Sequence, residues 1–584
     1  MTTQTAAAKA PTDGEYSHRQ ILTILSGLML GMFLAALDQT IVSTAIRTIS
    51  DDLHGLSVQA WVTTAYLITS TIATPIYGKL GDLYGRKKLF LFAITVFIIG
   101  SALCSFATSM YMLAAFRAIQ GIGAGGLMTL VLAIIGDLVP PRERAKYTGY
   151  FMATFGTSSV LGPVIGGILA ETNTFLGITG WRWVFLVNVP IGIIALFVVS
   201  ATLHLPHNRR EARIDWWGAA ALVVCLVPLL TVAEQGRSWG WGSGRALLCY
   251  VIGAIGLIAF VLVERMMKQD ALIPLRIFRL RAASVTIVAS VIVGMGMFGG
   301  ITVLPLYMQI VHGASPIQSG LMMLPMVGGL MLAAIISGQI TARTGKIRIF
   351  PIIGTLVATI GLLLLWRISA DTALPLVMVF MFIVGLGLGN CMQPLTLIVQ
   401  NAVPPREIGV ATSAATFFRQ VGGTLGVAIF LSILFSTVGD KIKDALTAAT
   451  KADPSLASPE NRKIIGTISS QVEDNSDVLQ QYSDKLTHPF KVGFADSMDM
   501  IFLCAAVVMF IGFLVLQLMP QVELRAQSAQ AAAASESAAN AGAPAATDEP
   551  VAAGVAAAAG RHEAAEDAVA DDVDETRTPR HAAE

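Results

Sequence analysis

Gly78-Lys79-Leu80-Gly81-Asp82-Leu83-Tyr84-Gly85-Arg86-Lys87-Lys88 is a short polar segment between two long apolar runs, near 59–80 and 88–107. A carboxylate and four cations in so few residues cannot sit in hydrocarbon. Each flanking run is long enough, at about 1.5 Å per residue, to cross about 30 Å of bilayer core. The segment therefore reads as a tight surface loop joining two spanning helices. The same alternation continues outward in both directions. Further apolar runs lie near 20–46, 111–137, 148–170, 183–204, 215–233 and 245–264, and then near 282–311, 317–341, 349–368, 374–399, 407–435 and 497–519. The expected fold is all-α: a polytopic membrane protein with fourteen transmembrane helices.

Composition agrees. The chain has 584 residues, 54% hydrophobic and 13% charged, against about 25% charged in an ordinary soluble domain. Cys104, Cys225, Cys249, Cys391 and Cys504 all fall in apolar runs at irregular spacing, which gives neither a disulfide framework nor a metal site. No Gly-x4-Gly-Lys-Ser/Thr pattern is present, so transport would draw on an ion gradient or run downhill. Gly121-Ile-Gly123-Ala-Gly125-Gly126 spells a dinucleotide pattern, but it lies inside an apolar span with no strand before it. Its small residues read as close helix packing. No catalytic activity, cofactor, metal or nucleic-acid partner is expected. The first twenty residues are polar and carry no cleavable signal-peptide pattern.

Charge sets the orientation. One alternate set of short loops carries nineteen Lys and Arg, including Lys79, Arg86–Lys88, Arg142–Lys146, Arg209–Arg213, Arg265–Arg281, Arg343–Arg348 and Arg406. The opposite set carries five: Arg47, Arg182, Arg237, Arg245 and Arg367. By the positive-inside rule both termini face the cytoplasm, in the cell's inner (cytoplasmic) membrane. The eight tryptophans lie near predicted helix ends, as an interfacial belt requires. The organisation expected is a cytoplasmic segment 1–19, a six-helix bundle 20–204, two linker helices in 205–281 and a second six-helix bundle 282–519. The second bundle carries an external loop, 436–495, in which Lys441–Lys451 suits a short surface helix. An Ala-rich tail, 520–584, is expected to be disordered.

An internal repeat supports the two bundles. Gly78–Arg86 has a degraded echo at Gly338-Gln-Ile-Thr-Ala342-Arg-Thr-Gly345-Lys346, and Val139-Pro-Pro-Arg-Glu143 recurs at Val403-Pro-Pro-Arg-Glu407. The offsets, 260 and 264 residues, place both echoes on the same side and make the halves parallel. With Leu37-Asp38-Gln-Thr-Ile-Val-Ser-Thr-Ala45, Arg117-Ala-Ile-Gln120-Gly121-Ile-Gly123, Gly162-Pro163-Val-Ile-Gly166-Gly167, and Trp181 through Gly192, the chain resembles the major facilitator superfamily. Within it, the resemblance is to the fourteen-helix drug:proton antiporters, over roughly residues 20–520. The resemblance implies multidrug efflux by proton antiport and a contribution to antibiotic resistance. It also implies a gating loop at Gly78, Asp82, Gly85 and Arg86, and an antiporter hinge at Gly162, Pro163, Gly166 and Gly167. The second half departs from the pattern: Ala342 stands where the first half has Asp82, and Gly426-Val427 lacks the proline of the hinge.

A proton-coupled carrier needs an acid inside the membrane, where desolvation and access govern its protonation. Asp38, about 17 residues into the first span, suits that task; the plainer alternative is a carboxylate capping a helix kink. Arg117 lies at a similar depth in the fourth span, so the two can form either a static bridge or a coupling contact. Arg419, near mid-membrane, could pair with an acid, attract an anionic substrate group or tune protonation. Gln120, Gln309, Asn390 and Gln393 could line a cavity or join helices. The expected partners are small lipophilic or cationic substrates, protons and the bilayer, with the protein acting as a monomer. Export of lipids or cell-envelope precursors, and proton-coupled uptake, remain open on the same fold.

Overall fold

The computed structural model describes residues 18–524, apart from 55–59, 140, 173, 204–214, 269, 405–406, 472–478, 480 and 523. The tail expected to be disordered lies outside the described residues, except for its first few positions. The first half comprises α1 (His18–Asp52), α2 (Ala60–Tyr84), α3 (Arg86–Ser105), α4 (Met110–Leu138), α5 (Pro141–Glu171), α6 (Trp183–Leu186) and α7 (Asn188–Thr202). A small antiparallel hairpin, β1 (Thr174–Phe175) with β2 (Ile178–Thr179), links α5 to α6. Two further helices follow, α8 (Trp216–Trp239) and α9 (Gly244–Met267). The second half holds α10 (Arg281–Ile310), α11 (Pro316–Met322), α12 (Leu324–Thr344), α13 (Ile349–Leu365), α14 (Leu374–Ala402), α15 (Ile408–Ala452), α16 (Pro459–Gln471) and α17 (Asp484–Gln517).

Twelve helical stretches among the described residues are long and apolar enough to cross a membrane. α13, at 17 residues, and α2, diluted by serines and threonines, are helical but fall outside that measure. Two expected spans are interrupted. The sixth breaks at Val187 between α6 and α7, and the tenth breaks at Met323, just before Pro325. Local chemistry sets several ends. The Ser109 hydroxyl accepts from the Met112 amide at the start of α4, Ser315 and Gln318 form a capping box on α11, and Gly345 stops α12 at φ 70°.

Each half has its own apolar core. Leu28, Phe90, Phe97 and Leu127 anchor one cluster of the first half, and Leu37, Ile41, Trp181 and Phe185 another. The second half is built on one large cluster that includes Val293, Tyr307, Leu362, Phe430 and Phe502. Helix α8 touches both halves: Leu222, Cys225 and Leu226 pack with Ile68 and Ile72 of α2 and with Ala414 and Phe417 of α15. Helix α9 lies outside α8 and exposes Leu247, Val251, Ile255 and Leu262, as a lipid-facing helix does.

The segment 436–495 differs from expectation. Residues 441–451 continue α15 without a break, and α17 begins at Asp484 rather than near 497. The reason is an apolar stripe. Ile442 packs on Gly493 and joins Phe490 and Phe494 in the core of the second half, so both helices gain burial by extending past the expected spans. With α16, the extensions form a cap at the end opposite the Gly78–Lys88 loop. Lys485 Nζ meets Asp453 Oδ2 at 2.6 Å and clasps the two extensions together.

Candidate functional site

Asp38 lies on α1 with no exposed surface, held by side chains from two other helices, α4 and α7. Arg117 Nη1 on α4 donates to Asp38 Oδ2 at 2.5 Å. Gln120 Nε2, one turn on, donates to Asp38 Oδ1 at 2.8 Å, while its own Oε1 accepts from Arg117 Nη1 at 2.8 Å. Asn188 Nδ2, at the start of α7, donates to Asp38 Oδ1 at 2.7 Å and to Ser101 Oγ on α3 at 3.1 Å. The Arg117 guanidinium also lies 4.0 Å over the Tyr66 ring of α2. The site is an ion pair sealed inside the first half by neutral donors and one aromatic face. Two polar atoms in it, Arg117 Nε and Asn188 Oδ1, have no hydrogen-bond partner among the described residues.

Chemically, Asp38 is the one carboxyl group of the cluster. Ionised, Asp38 satisfies Arg117, Gln120 and Asn188 at once. Protonated, it cannot pair with the cation, and the hydrogen bonds must be redistributed. Gln120 is therefore part of this buried network rather than a cavity wall. Gln309 bonds Ser319 Oγ at 3.1 Å, and Asn390 bonds the Leu386 carbonyl of its own helix at 2.8 Å. Gln393, partly exposed on α14, has no hydrogen bond among the described residues.

The glycine-rich signature loop is a second polar centre. Arg86 Nη2 meets Asp82 Oδ1 at 2.8 Å, and Arg86 Nη1 meets Asp137 Oδ2 of α4 at 2.9 Å. The other Asp82 oxygen accepts from the Val410 amide at 3.0 Å, across the halves. Val410 lies in the first turn of α15, where free amides and the helix dipole favour an anion. Gly78 makes this approach feasible, because a Cβ there would lie 2.2 Å from Ser413 Oγ. Gly85 supplies the φ of 93° that turns α2 into α3.

Arg144, read from sequence as an orienting loop charge, is instead buried between the halves. Its Nε donates to the Val139 carbonyl at 2.7 Å and its Nη1 to Gln400 Oε1 of α14 at 2.6 Å. Gln420 accepts from Thr74 at 3.3 Å, also across the halves. These polar contacts between halves run from mid-membrane to the signature-loop end, so the halves are joined there.

The Gly-Pro motif of α5 faces two ways. A Cβ on Gly162 would meet Thr40 Oγ1 at 1.9 Å, and one on Gly166 the Ile41 carbonyl at 2.9 Å, so these two seat α5 on α1 beside Asp38. Pro163 lies against Gly320 of α11 and Gly167 against Ile317, both in the other half. One motif thus touches the Asp38 helix and the partner half on adjacent faces.

Arg419 stands apart from Asp38 and Arg117. It is 9% exposed on α15, with no hydrogen bond or ion pair among the described residues. Replacing it by Gln is expected to leave thermal stability no lower than the parent's. Arg117→Gln, which strands Asp38, should lose about 3–5 kcal/mol. Thermal unfolding of both purified variants by intrinsic fluorescence checks the contrast; equal losses would mean that Arg419 has a partner.

Comparison with known proteins gives consistent results. The profile of the Major Facilitator Superfamily matches residues 28–427. The chain is 35% identical over 515 residues to "Multidrug transporter protein MdtP" of Bacillus subtilis (strain 168), covering 86% of this chain and 93% of that one. It is 36% identical over 496 residues to "Multidrug resistance protein 3" of the same strain, covering 84% and 94%. Among solved structures, the proton:xylose symporter XylE aligns with a TM-score of 0.55 at 15% identity, over 89% of this chain and 100% of that one, a likeness of fold.

Proposed function

This chain belongs to the major facilitator superfamily, and from that premise we propose that it is a fourteen-helix carrier exporting lipophilic small molecules across the cytoplasmic membrane in exchange for protons. It is a multi-pass membrane transporter and not an enzyme. The observation that carries the proton half of the reading is the Asp38–Arg117 pair, sealed among α1, α3, α4 and α7. The names borne by its bacterial relatives support the efflux half.

In this reading the signature-loop end is cytoplasmic, as are both termini, and the structure has that end closed. A proton arriving from outside neutralises Asp38 and releases Arg117. The strain passes through Gly162 and Gly166 to α5, whose Pro163 and Gly167 bear on the other half. The Asp82–Val410 contact then breaks, the halves rock, and the proton leaves to the cytoplasm as substrate loads. Everted membrane vesicles test the coupling. A lipophilic dye should accumulate when the vesicle interior is made acidic and leak back when a protonophore is added. Uphill accumulation that survives a collapsed pH gradient would end the antiport reading. Export of lipids or envelope precursors is the second reading, favoured by the α15–α17 cap at the opposite end.

A further inference from the structure

At the end opposite the signature loop, the cap forms an open cleft of about 600 Å³ between the α15 extension, α16 and the first turns of α17. That size lies within the about 300–1,000 Å³ range of small-molecule sites. Its floor is apolar: Ile442, Leu446, Leu456, Ile465 and Phe490 line it, and Ile442, Leu456 and Phe490 are themselves buried. Its rim carries Lys443, Lys451 and Arg462, and no Asp or Glu is among its lining residues.

The two chemistries follow from helical spacing. Ile442 and Leu446 are one turn apart on the inward stripe of α15. Lys443, Thr447 and Lys451 repeat every four residues on the adjacent stripe, and Arg462 answers from α16. Among the described residues none of the three cations has an ion pair, whereas nearby Lys485 and Lys491 are each bound to an aspartate. Three unneutralised cations over a greasy floor match a ligand with one anionic end and one hydrocarbon end. A neutral hydrophobe would leave the cations unused, and a cation would be repelled.

We infer that the cap cavity is a binding site for a single-chain amphiphilic anion, a long-chain carboxylate or its equivalent, seated with its chain on Leu446 and Phe490 and its head between Lys443, Lys451 and Arg462. The site lies outside the spans expected near 407–435 and 497–519, so binding there stands independently of the Asp38 coupling scheme.

The test uses the full chain in phosphatidylcholine nanodiscs and three dodecyl probes that share a chain-terminal diazirine: a carboxylate, an alcohol and an amine. After irradiation, peptide mapping should place the carboxylate within residues 439–469, at least tenfold above the alcohol or amine. K443E/K451E/R462E should lower that labelling at least tenfold. L446W, which fills the floor without changing charge, should lower it as well while the spans label as before. Labelling of this segment should be unchanged in Asp38→Asn/Arg117→Gln, which leaves no stranded charge. Equal labelling by the amine, no loss on charge reversal, or displacement by phosphatidylglycerol added to the nanodisc would overturn the assignment, the last in favour of a bilayer-lipid site.

Discussion

Asp38→Asn is expected to abolish pH-driven transport. Its cost in stability arises from the same geometry. The substitution keeps the shape of the side chain and removes the charge that compensates Arg117, whose Nε has no partner among the described residues. Removing one member of a buried pair costs about 3–5 kcal/mol, so the single variant should also express poorly. The companion variant Asp38→Asn/Arg117→Gln separates the two effects. With no stranded charge it should recover most of the lost stability, read as thermal unfolding in detergent, yet show no dye accumulation under an imposed pH gradient. Gradient-driven accumulation by the double variant would remove Asp38 from the coupling scheme altogether.

The second large effect is expected at the latch. A valine at Gly78 would drive its Cβ into Ser413, at 2.2 Å from Oγ and 2.4 Å from Cβ, where α2 and α15 touch. Overpacking of this kind costs about 1–3 kcal/mol. Here the cost falls on the state closed at the signature-loop end, because the contact exists only while the halves meet. A bias of that size shifts a two-state equilibrium by about 5–150-fold. Transport should fall at least tenfold while membrane insertion is normal, and a thiol reagent should reach a cysteine placed at Ser413 more readily. Gly78→Ala with Ser413→Gly, which restores room, should recover most of the activity. Full activity in Gly78→Val would show that the cycle does not depend on this close approach.

Much of this was readable before any coordinates. Asp38 and Arg117 could be matched by depth because a spanning helix advances at a fixed rise, and Gln120 follows one turn behind Arg117. Asn188 satisfies the same depth argument, five residues into the sixth span, but its amide gave no charge to draw attention. The break at Val187 that aims it at Asp38 is tertiary in origin: the Ser101 hydroxyl donates to the Phe185 carbonyl at 2.9 Å and fixes the turn. Arg144 misled because a cation in a loop between spans fits the orientation rule whether it faces water or protein. Its burial depends on Gln400, 256 positions away. The seat of α8 on α2 and α15 was equally out of reach, since apolar runs carry no mark of which neighbour they choose. The loop signature fared better, because glycines at 78 and 85 flanking a lone carboxylate make sense only where backbone must come close.

Helix α15 has one more consequence. It runs 45 residues without a proline, from the turn whose Val410 amide holds Asp82 to the far edge of the cap, a rod about 68 Å long at about 1.5 Å per residue. Pivoted near the tip that meets the signature loop, such a lever magnifies small rotations with distance. The outermost turns would sweep the widest arc of any part of the second half, so a tether between that tip and the first half should stall turnover while leaving ligand entry from the inner side intact.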